Sequence, residues 1–409
     1  MYRSRDAESL LKRYLRQYPI VTVIGPRQSG KTTLCRHLLP EMPYASLENP
    51  DMARRAASDP RAFLSTFPKG AILDEIQRAP ELLSYLQGIV DEDARPGRYV
   101  LTGSAQLELL GKVSQSLAGR TALLTLLPFT LSEAYPKPAR IQAEAMLFRG
   151  FFPRVHTRKL DVREAMDFYC ATYLERDVRN VLQVRDLGQF DLFLRLSATR
   201  TGQVLNVSGL GAEAGVSNKT ATHWLSVLQA TFLVFLLRPH HTNLGKRLVK
   251  APKLHWIDPG LCAYLLEMRS PDHIATHPMR GALFESFVAA ELMKQACHRG
   301  RRPNLYYFRD NHGLEIDLLM DFGEKIVPIE VKMGQTVNQD FFHALDEYAR
   351  LNKKAWPGIL VYGGKESYVE NGRLVLGYRD LPLLMGYDGS RAPADLLKRS
   401  RSGKLVAEL

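Results

Sequence analysis

Residues Gly25-Pro26-Arg27-Gln28-Ser29-Gly30-Lys31-Thr32 place two glycines, a lysine and a hydroxyl at the spacing of a loop that cradles phosphate. In such a turn, at the head of a helix, unpartnered backbone N–H groups converge on one point and favour an anion there. Gly25 and Gly30 let the backbone curl without a Cβ. Lys31 would neutralise the β- and γ-phosphates of a nucleoside triphosphate, and Thr32 would offer its hydroxyl to Mg²⁺. Thr33 follows at the helix start, and Arg27 is a further cation on the phosphate side.

A second set of residues suits the same chemistry. Gly70-Ala71-Ile72-Leu73-Asp74-Glu75 is an apolar strand ending in two carboxylates. Asp74 would hold the Mg²⁺ through water, and Glu75 would orient or deprotonate the attacking water. The next strand ends Leu101-Thr102-Gly103-Ser104, which puts Ser104, or else Thr102, where a γ-phosphate would be sensed. Arg120, in Leu117-Ala118-Gly119-Arg120, precedes the last strand of this unit. One reading sends it to a neighbouring subunit's γ-phosphate, where developing charge makes a cation effective. The other leaves it as a solvated surface arginine.

A third constellation lies near the C-terminal end. Glu315-Ile316-Asp317-Leu318-Leu319-Met320, a turn at Asp321-Phe322-Gly323-Glu324, and Lys325 through Glu330-Val331-Lys332 read as a hairpin. Alternation puts Glu315 and Asp317 on one face, and Glu330 and Lys332 on one face of the partner strand. Carboxylates at this density suit Mg²⁺ or Mn²⁺, and a lysine beside the ion can align or deprotonate water for attack on a phosphodiester. Asp317 and Glu330 are then metal ligands, Lys332 serves the water, and Glu285 on the preceding helix adds a ligand through a metal-bound water. The simpler alternative is a solvated salt bridge from Asp317 or Glu330 to Lys332. Arg299, Arg301, Arg302 and Arg309 would provide basic surface around the hairpin.

These residues need elements to hold them. Short apolar runs at 20–25, 44–47, 70–73, 98–102 and 121–127 alternate with amphipathic stretches such as 79–91, which implies a parallel sheet covered on both faces. A Pro-containing stretch at 135–139 marks the end of that unit, taken as residues 1–140. Residues 141–270 read as a mostly helical region. In it two helices around Gly215-Val216-Ser217-Asn218, a strand at 231–237 and the basic segment Lys246-Arg247-Leu248-Val249-Lys250 have the layout of a winged helix-turn-helix. Lys219, Thr222 and His223 are its polar readers if it enters a DNA groove; a helical packing module has the same layout. A further α/β unit spans 271–388, with a helix at 283–296, and residues 389–409 read as a basic, mobile tail.

The 409 residues carry 55 Lys and Arg against 43 Asp and Glu, a formal net charge of +12 that suits a polyanionic partner and equally an ordinary, mildly basic soluble protein. Four scattered cysteines without a CxxC pair argue for a reducing cytoplasm and against structural zinc. No apolar run is long enough for a bilayer span, and no export signal is visible, so no membrane association is expected.

Nearly the whole chain resembles a prokaryotic family that joins an N-terminal AAA-type P-loop ATPase to a winged-helix segment and a C-terminal PD-(D/E)xK nuclease-like, restriction-endonuclease-like α/β domain. Besides the motifs above, the resemblance rests on Lys253-Leu254 with Asp258-Pro259-Gly260-Leu261, on Phe284-Glu285 and on Phe308-Arg309-Asp310. Pro259 stands where such proteins usually have a small polar residue. The resemblance implies ATP and Mg²⁺ as cofactors, and Asp317, Glu330 and Lys332 as a nuclease triad with Glu285 beside it. Two functions compete: an ATPase that controls a nuclease-like module acting on DNA, in a homo-oligomer if Arg120 acts across subunits, and a nucleotide-controlled switch in which the C-terminal domain is an inactive scaffold.

Overall fold

The computed structural model describes residues 2–104, 116–136, 141–158, 160–174, 187–240 and 251–401. Near the N-terminus, β1 (Ile20–Gly25), β2 (Tyr44–Ser46), β3 (Ala71–Asp74), β4 (Tyr99–Ser104) and β5 (Thr121–Thr125) form a sheet in the order β2-β3-β4-β1-β5. Every pairing in it is parallel. Parallel neighbours require crossovers that cover both faces, so β1, β3 and β4 are buried along their whole length rather than on alternate residues. Ile20, Leu73, Tyr99 and Leu101 face one core with Leu82, Leu83 and Leu86 of the helix Leu82–Glu92. Val21, Val23, Ile72 and Val100 face the other, with Leu10 and Leu11 of the helix Glu8–Gln17 and Leu34 of the helix Lys31–Leu38. The helix predicted from residue 79 starts later because Pro80 disfavours helical backbone at Ala79, which sits at φ −141°.

Register sets which ends meet. Gly25 lies beside Ser104 and Leu73 beside Leu101, so the C-terminal ends of β1, β3 and β4 share one edge of the sheet. Open α/β sheets bind ligands at that edge.

The middle region runs helix Leu187–Thr199, β6 (Gln203–Val204), helices Val207–Glu213 and Asn218–Ala230, β7 (Val234–Pro239) and β8 (Lys253–Trp256). The predicted strand at 231–237 begins at Val234, because Phe232 turns the chain with φ 56°. Ser217 caps the second helix by accepting from Thr220 N at 3.1 Å, while Lys219, Thr222 and His223 stand exposed on it. The basic segment 246–250 lies outside the described residues.

The strands of this region do not form a separate sheet. β7 pairs in parallel with β9 (Leu305–Arg309), which continues through β10 (Glu315–Asp321), β11 (Ile326–Lys332), β12 (Ile359–Tyr362), β13 (Tyr368–Glu370) and β14 (Arg373–Gly377). The result is one nine-stranded sheet in the order β13-β14-β12-β11-β10-β9-β7-β8-β6. One apolar core extends from Phe129 to Leu397. That core crosses the boundary expected near residue 270, while a second core, with Ile316, Leu319, Phe342, Leu345 and Val375, lies wholly beyond it. The tail expected to be mobile from 389 is corrected in part: Ala394, Leu396 and Leu397 are buried, and a helix covers Asp395–Arg401.

Candidate functional site

At the shared edge of the first sheet, Gly25 (φ 156°) and Gly30 (φ 92°) take up backbone that other residues rarely adopt, and a Cβ on Gly25 would lie 2.1 Å from the Leu126 carbonyl oxygen. Between them the loop closes on its own lysine. Lys31 Nζ donates to the carbonyls of Gly25 at 3.1 Å and Pro26 at 2.8 Å. Burial brings its pKa down to about 8, against the opposing pull of Glu75 and Asp74. Ser29 Oγ is buried without a hydrogen-bond partner. A desolvated ammonium and an orphaned hydroxyl in a curled loop suit a polyanion, so the residues fit a nucleotide phosphate chain.

Asp74 ends β3 beside this loop and accepts three hydroxyls. Thr32 Oγ1 reaches its two oxygens at 2.9 and 3.1 Å, Tyr44 donates at 2.7 Å, and Thr102 donates from β4. The Thr32–Asp74 pair expected for Mg²⁺ is thus brought together, and a carboxylate next to a threonine hydroxyl fits a hard cation. Thr102, the alternative to Ser104 as a phosphate sensor, has its hydroxyl turned to Asp74.

Glu75 sits at φ 59°, ψ 48°, a left-handed conformation that costs a non-glycine residue roughly 1 kcal/mol or more. Its carboxylate accepts from the Gln77 amide, which also donates to Ser104 Oγ at 3.0 Å. Glu75 and Ser104 are therefore joined through a glutamine that the sequence did not single out. Thr33 is exposed at the helix start, and Arg27 is near enough to Lys31 to oppose its charge.

Arg120 is placed differently. Its carbonyl accepts from Ile20 N at 3.3 Å, at the N-terminal end of β1, roughly 17 Å of strand from Gly25. Its guanidinium forms a bidentate pair with Asp91, at 2.5 and 2.8 Å. It cannot reach the phosphate loop of its own chain.

Glu315 and Asp317 turn to the same cation, which comes from elsewhere, although the register of β10 against β9 shifts between Ile316 and Leu319 and interrupts the expected alternation. Lys253 of β8 extends its ammonium to Glu315 at 2.6 Å, Glu285 at 3.1 Å and Asp317 at 4.0 Å. Burial alone would lower the pKa of Lys253, but Glu285, Asp317 and Glu315 together hold it above the ordinary lysine range. Lys332 pairs with Glu330 at 2.6 Å, and Asp317 Oδ2 accepts from Val331 N at 2.9 Å. Burial raises Glu285, Asp317 and Glu330 above the usual carboxylate range, and the charge of Asp317 pushes Glu285 and Glu330 further.

Whether a divalent cation fits depends on which acid is considered. Glu330 Oε2 is buried without a partner beside Asp317, and these two acids fit such an ion. Glu285, expected as a ligand through water, pairs here with Lys253 at 3.1 Å. The basic surface expected around the hairpin is also divided. Arg309 reaches Glu315 at 3.6 Å, but Arg299 follows the far end of the helix Arg280–His298, roughly 21 Å along it from Glu285. Arg301 is near that same end and donates to the Gly386 carbonyl at 3.2 Å.

Residues 17–135 match the model of an AAA domain. Residues 140–272 match a domain of unknown function (DUF8612), and residues 280–381 a second (DUF4143). The expected AAA-type ATPase is thereby supported, whereas the nuclease-like resemblance of the C-terminal unit is matched only by a domain without assigned function. Uncharacterized proteins of Mycobacterium bovis and Mycobacterium tuberculosis are each 32% identical over 337 residues, covering 81% of this chain and 74% of theirs. Among solved structures, the Walker-type ATPase paby2304 of Pyrococcus abyssi is similar at 17% identity, over 64% of this chain and 94% of its own, with a TM-score of 0.43. Among the described residues, no helix is long and apolar enough to cross a membrane.

Proposed function

Since the chain belongs to the family of these two mycobacterial proteins and its first unit is an AAA domain, we propose that it hydrolyses ATP and that its nucleotide state controls a nuclease-like acid cluster acting on DNA. The observation that carries the ATPase half is the meeting of Lys31, Thr32, Asp74 and Glu75 at one sheet edge. In this reading Lys31 leaves the carbonyls of Gly25 and Pro26 for the β- and γ-phosphates, and the N–H groups around Gly30 orient them. Thr32 and Asp74 would hold Mg²⁺, which offsets charge on the transferring phosphoryl group when bound. Glu75 takes the proton of the attacking water, and Gln77 and Ser104 keep its carboxylate aimed.

For the second half, the supporting observation is the orphaned, buried Glu330 Oε2 beside Asp317, with Lys332 at 2.6 Å from the other oxygen. Asp317 and Glu330 would hold the divalent cation of a phosphodiesterase, and Lys332 would align water. Exposed Lys219, Thr222 and His223 on the second helix of a winged-helix layout, with the positive net charge, support DNA as the partner.

A second reading has its own observation. Buried Lys253 closes an ion cluster with half-buried Glu285 and Glu315, which suits a scaffold that transmits nucleotide state to a partner. One assay separates the two: cleavage of single- and double-stranded DNA and RNA with Mg²⁺ or Mn²⁺, with and without ATP. Metal-dependent cutting that responds to ATP supports the nuclease reading. ATP turnover without cutting on any substrate assigns the C-terminal unit to the scaffold.

A further inference from the structure

Beneath the phosphate loop lies an arginine that belongs to none of its motifs. Arg5 is 5% exposed. It donates to the carbonyl of Ser29 at 2.7 Å and to that of Leu127 at 2.8 Å, lies 3.1 Å from Glu133, and stacks over the Phe129 ring at 4.9 Å. The Ser29 carbonyl belongs to the same peptide plane as the Gly30 N–H. A trans peptide points these two groups in opposite directions, so a carbonyl held toward Arg5 turns the Gly30 N–H away from it. Arg5 thereby sets one donor of the phosphate nest.

The same guanidinium connects to the C-terminal unit. Glu133 also accepts from Asp6 N at 2.6 Å and Thr130 N at 2.8 Å, and faces His298 Nδ1 at 3.8 Å. His298 Nε2 accepts from Leu127 N at 3.1 Å, which leaves the proton of this neutral ring on Nδ1, toward Glu133. Burial, with Arg5 and Lys294, keeps the ring well below the usual histidine range. One turn earlier on the same helix Lys294 donates to the Phe129 carbonyl at 2.8 Å, and about two turns earlier Glu291 accepts from Leu131 N at 3.0 Å. Glu291, Lys294 and His298 are all fully buried, on one face of the helix Arg280–His298. That helix carries Glu285 of the acid cluster farther toward its N-terminal end.

We propose that Arg5 is a positioning residue of the nucleotide site, and that the buried charges around it link phosphate-loop occupancy to the packing of helix Arg280–His298. The inference rests on reading residues 25–32 as a nucleotide loop. Asp6, Glu133 and His298 lie close enough together to suggest a metal site, but Arg5 already supplies the cation that this group needs. The link is physical because a single side chain bonds the loop backbone, the backbone after β5 and the carboxylate that faces the helix.

The test uses the full chain, a fluorescent ATP analogue and ATP turnover. R5K keeps a charge beside Glu133 but cannot reach both carbonyls; R5Q combined with E133Q removes the buried pair together. Both should raise KM for ATP by about tenfold while kcat stays within about twofold. Hydrogen exchange in 291–298 should slow on analogue binding in the wild type, and this protection should be lost in R5K. Wild-type KM together with unchanged nucleotide-dependent protection in both variants overturns the proposal, even if their melting temperatures fall. If the wild type itself binds no nucleotide, the reading of the loop fails and this inference falls with it. If R5K alone is unfolded, the double variant decides.

Discussion

Gln77 Nε2 stands 3.0 Å from Ser104 Oγ while also donating to the Glu75 carboxylate, so one amide bridges the end of β4 to the acid that follows β3. This fixes the direction of a carboxylate whose backbone is already held in a left-handed turn. Gln77→Ala should therefore leave nucleotide affinity within about twofold and lower turnover by about tenfold, through lost orientation. Glu75→Gln should bind ATP normally and lose about a hundredfold in turnover, since a general base contributes on that scale. Steady-state kinetics beside equilibrium binding checks both. Equal losses in affinity and turnover would place Gln77 in folding rather than in aim.

Lys31→Ala should remove nucleotide binding, because the loop loses its buried cation. The wild type should also show a pH dependence of known sign. In the free protein the ammonium deprotonates at about 8, whereas bound phosphates favour its charged form. Binding above that pH then takes up a proton, and affinity should fall by up to about tenfold per pH unit above 8. Titration of a fluorescent analogue from pH 7 to 9.5 measures it, and a flat profile assigns the phosphate charge to another residue.

Arg120 is paired with Asp91 and lies at the opposite end of β1 from the loop. Any catalytic role must therefore be exerted on another copy of the chain. If it is, Arg120→Ala should lower turnover at least tenfold with nucleotide affinity unchanged, and wild-type specific activity should rise with protein concentration. Activity independent of concentration and of the substitution would leave Arg120 as half of an exposed, solvent-screened ion pair with Asp91.

Lys253 holds Glu285 and Glu315 in a largely buried cluster. Lys253→Met should destabilise the protein by roughly 3 kcal/mol, because removing one partner leaves charges buried without compensation. Mn²⁺ should recover part of that loss, and its stabilising effect on melting should exceed that in the wild type. Melting curves with and without the ion decide this; an unchanged midpoint would mean that the acids simply protonate.

Asp317→Ala and Glu330→Ala should each abolish cleavage of nucleic acid and the Mn²⁺-dependent rise in melting temperature, since one carboxylate binds a hard cation weakly. Lys332→Ala should abolish cleavage and keep the metal effect, with ATP turnover near wild type in all three. Loss of the metal effect in Lys332→Ala would make the lysine part of the ion site itself.

The phosphate loop, the strand leading to Asp74 and Glu75, and the acid hairpin are legible in the sequence alone. Each is local: glycines where the backbone must curl, apolar runs for a sheet covered on both faces, and a two-residue alternation that sorts Asp317 and Glu330 from Val331. Short-range sterics and burial write such patterns into adjacent residues. Tertiary structure decided which distant side chains meet them. Lys253 enters the acid cluster because β8, β7 and β9 join in one sheet, a pairing no local pattern announces. Arg5 lies under the loop because the N-terminal segment packs against the backbone after β5, and Arg120 is turned from its own loop because the strands run parallel. Strand order and helix packing bring these charges together, through contacts between residues whose separation in the chain hides them from any reading of periodicity or spacing.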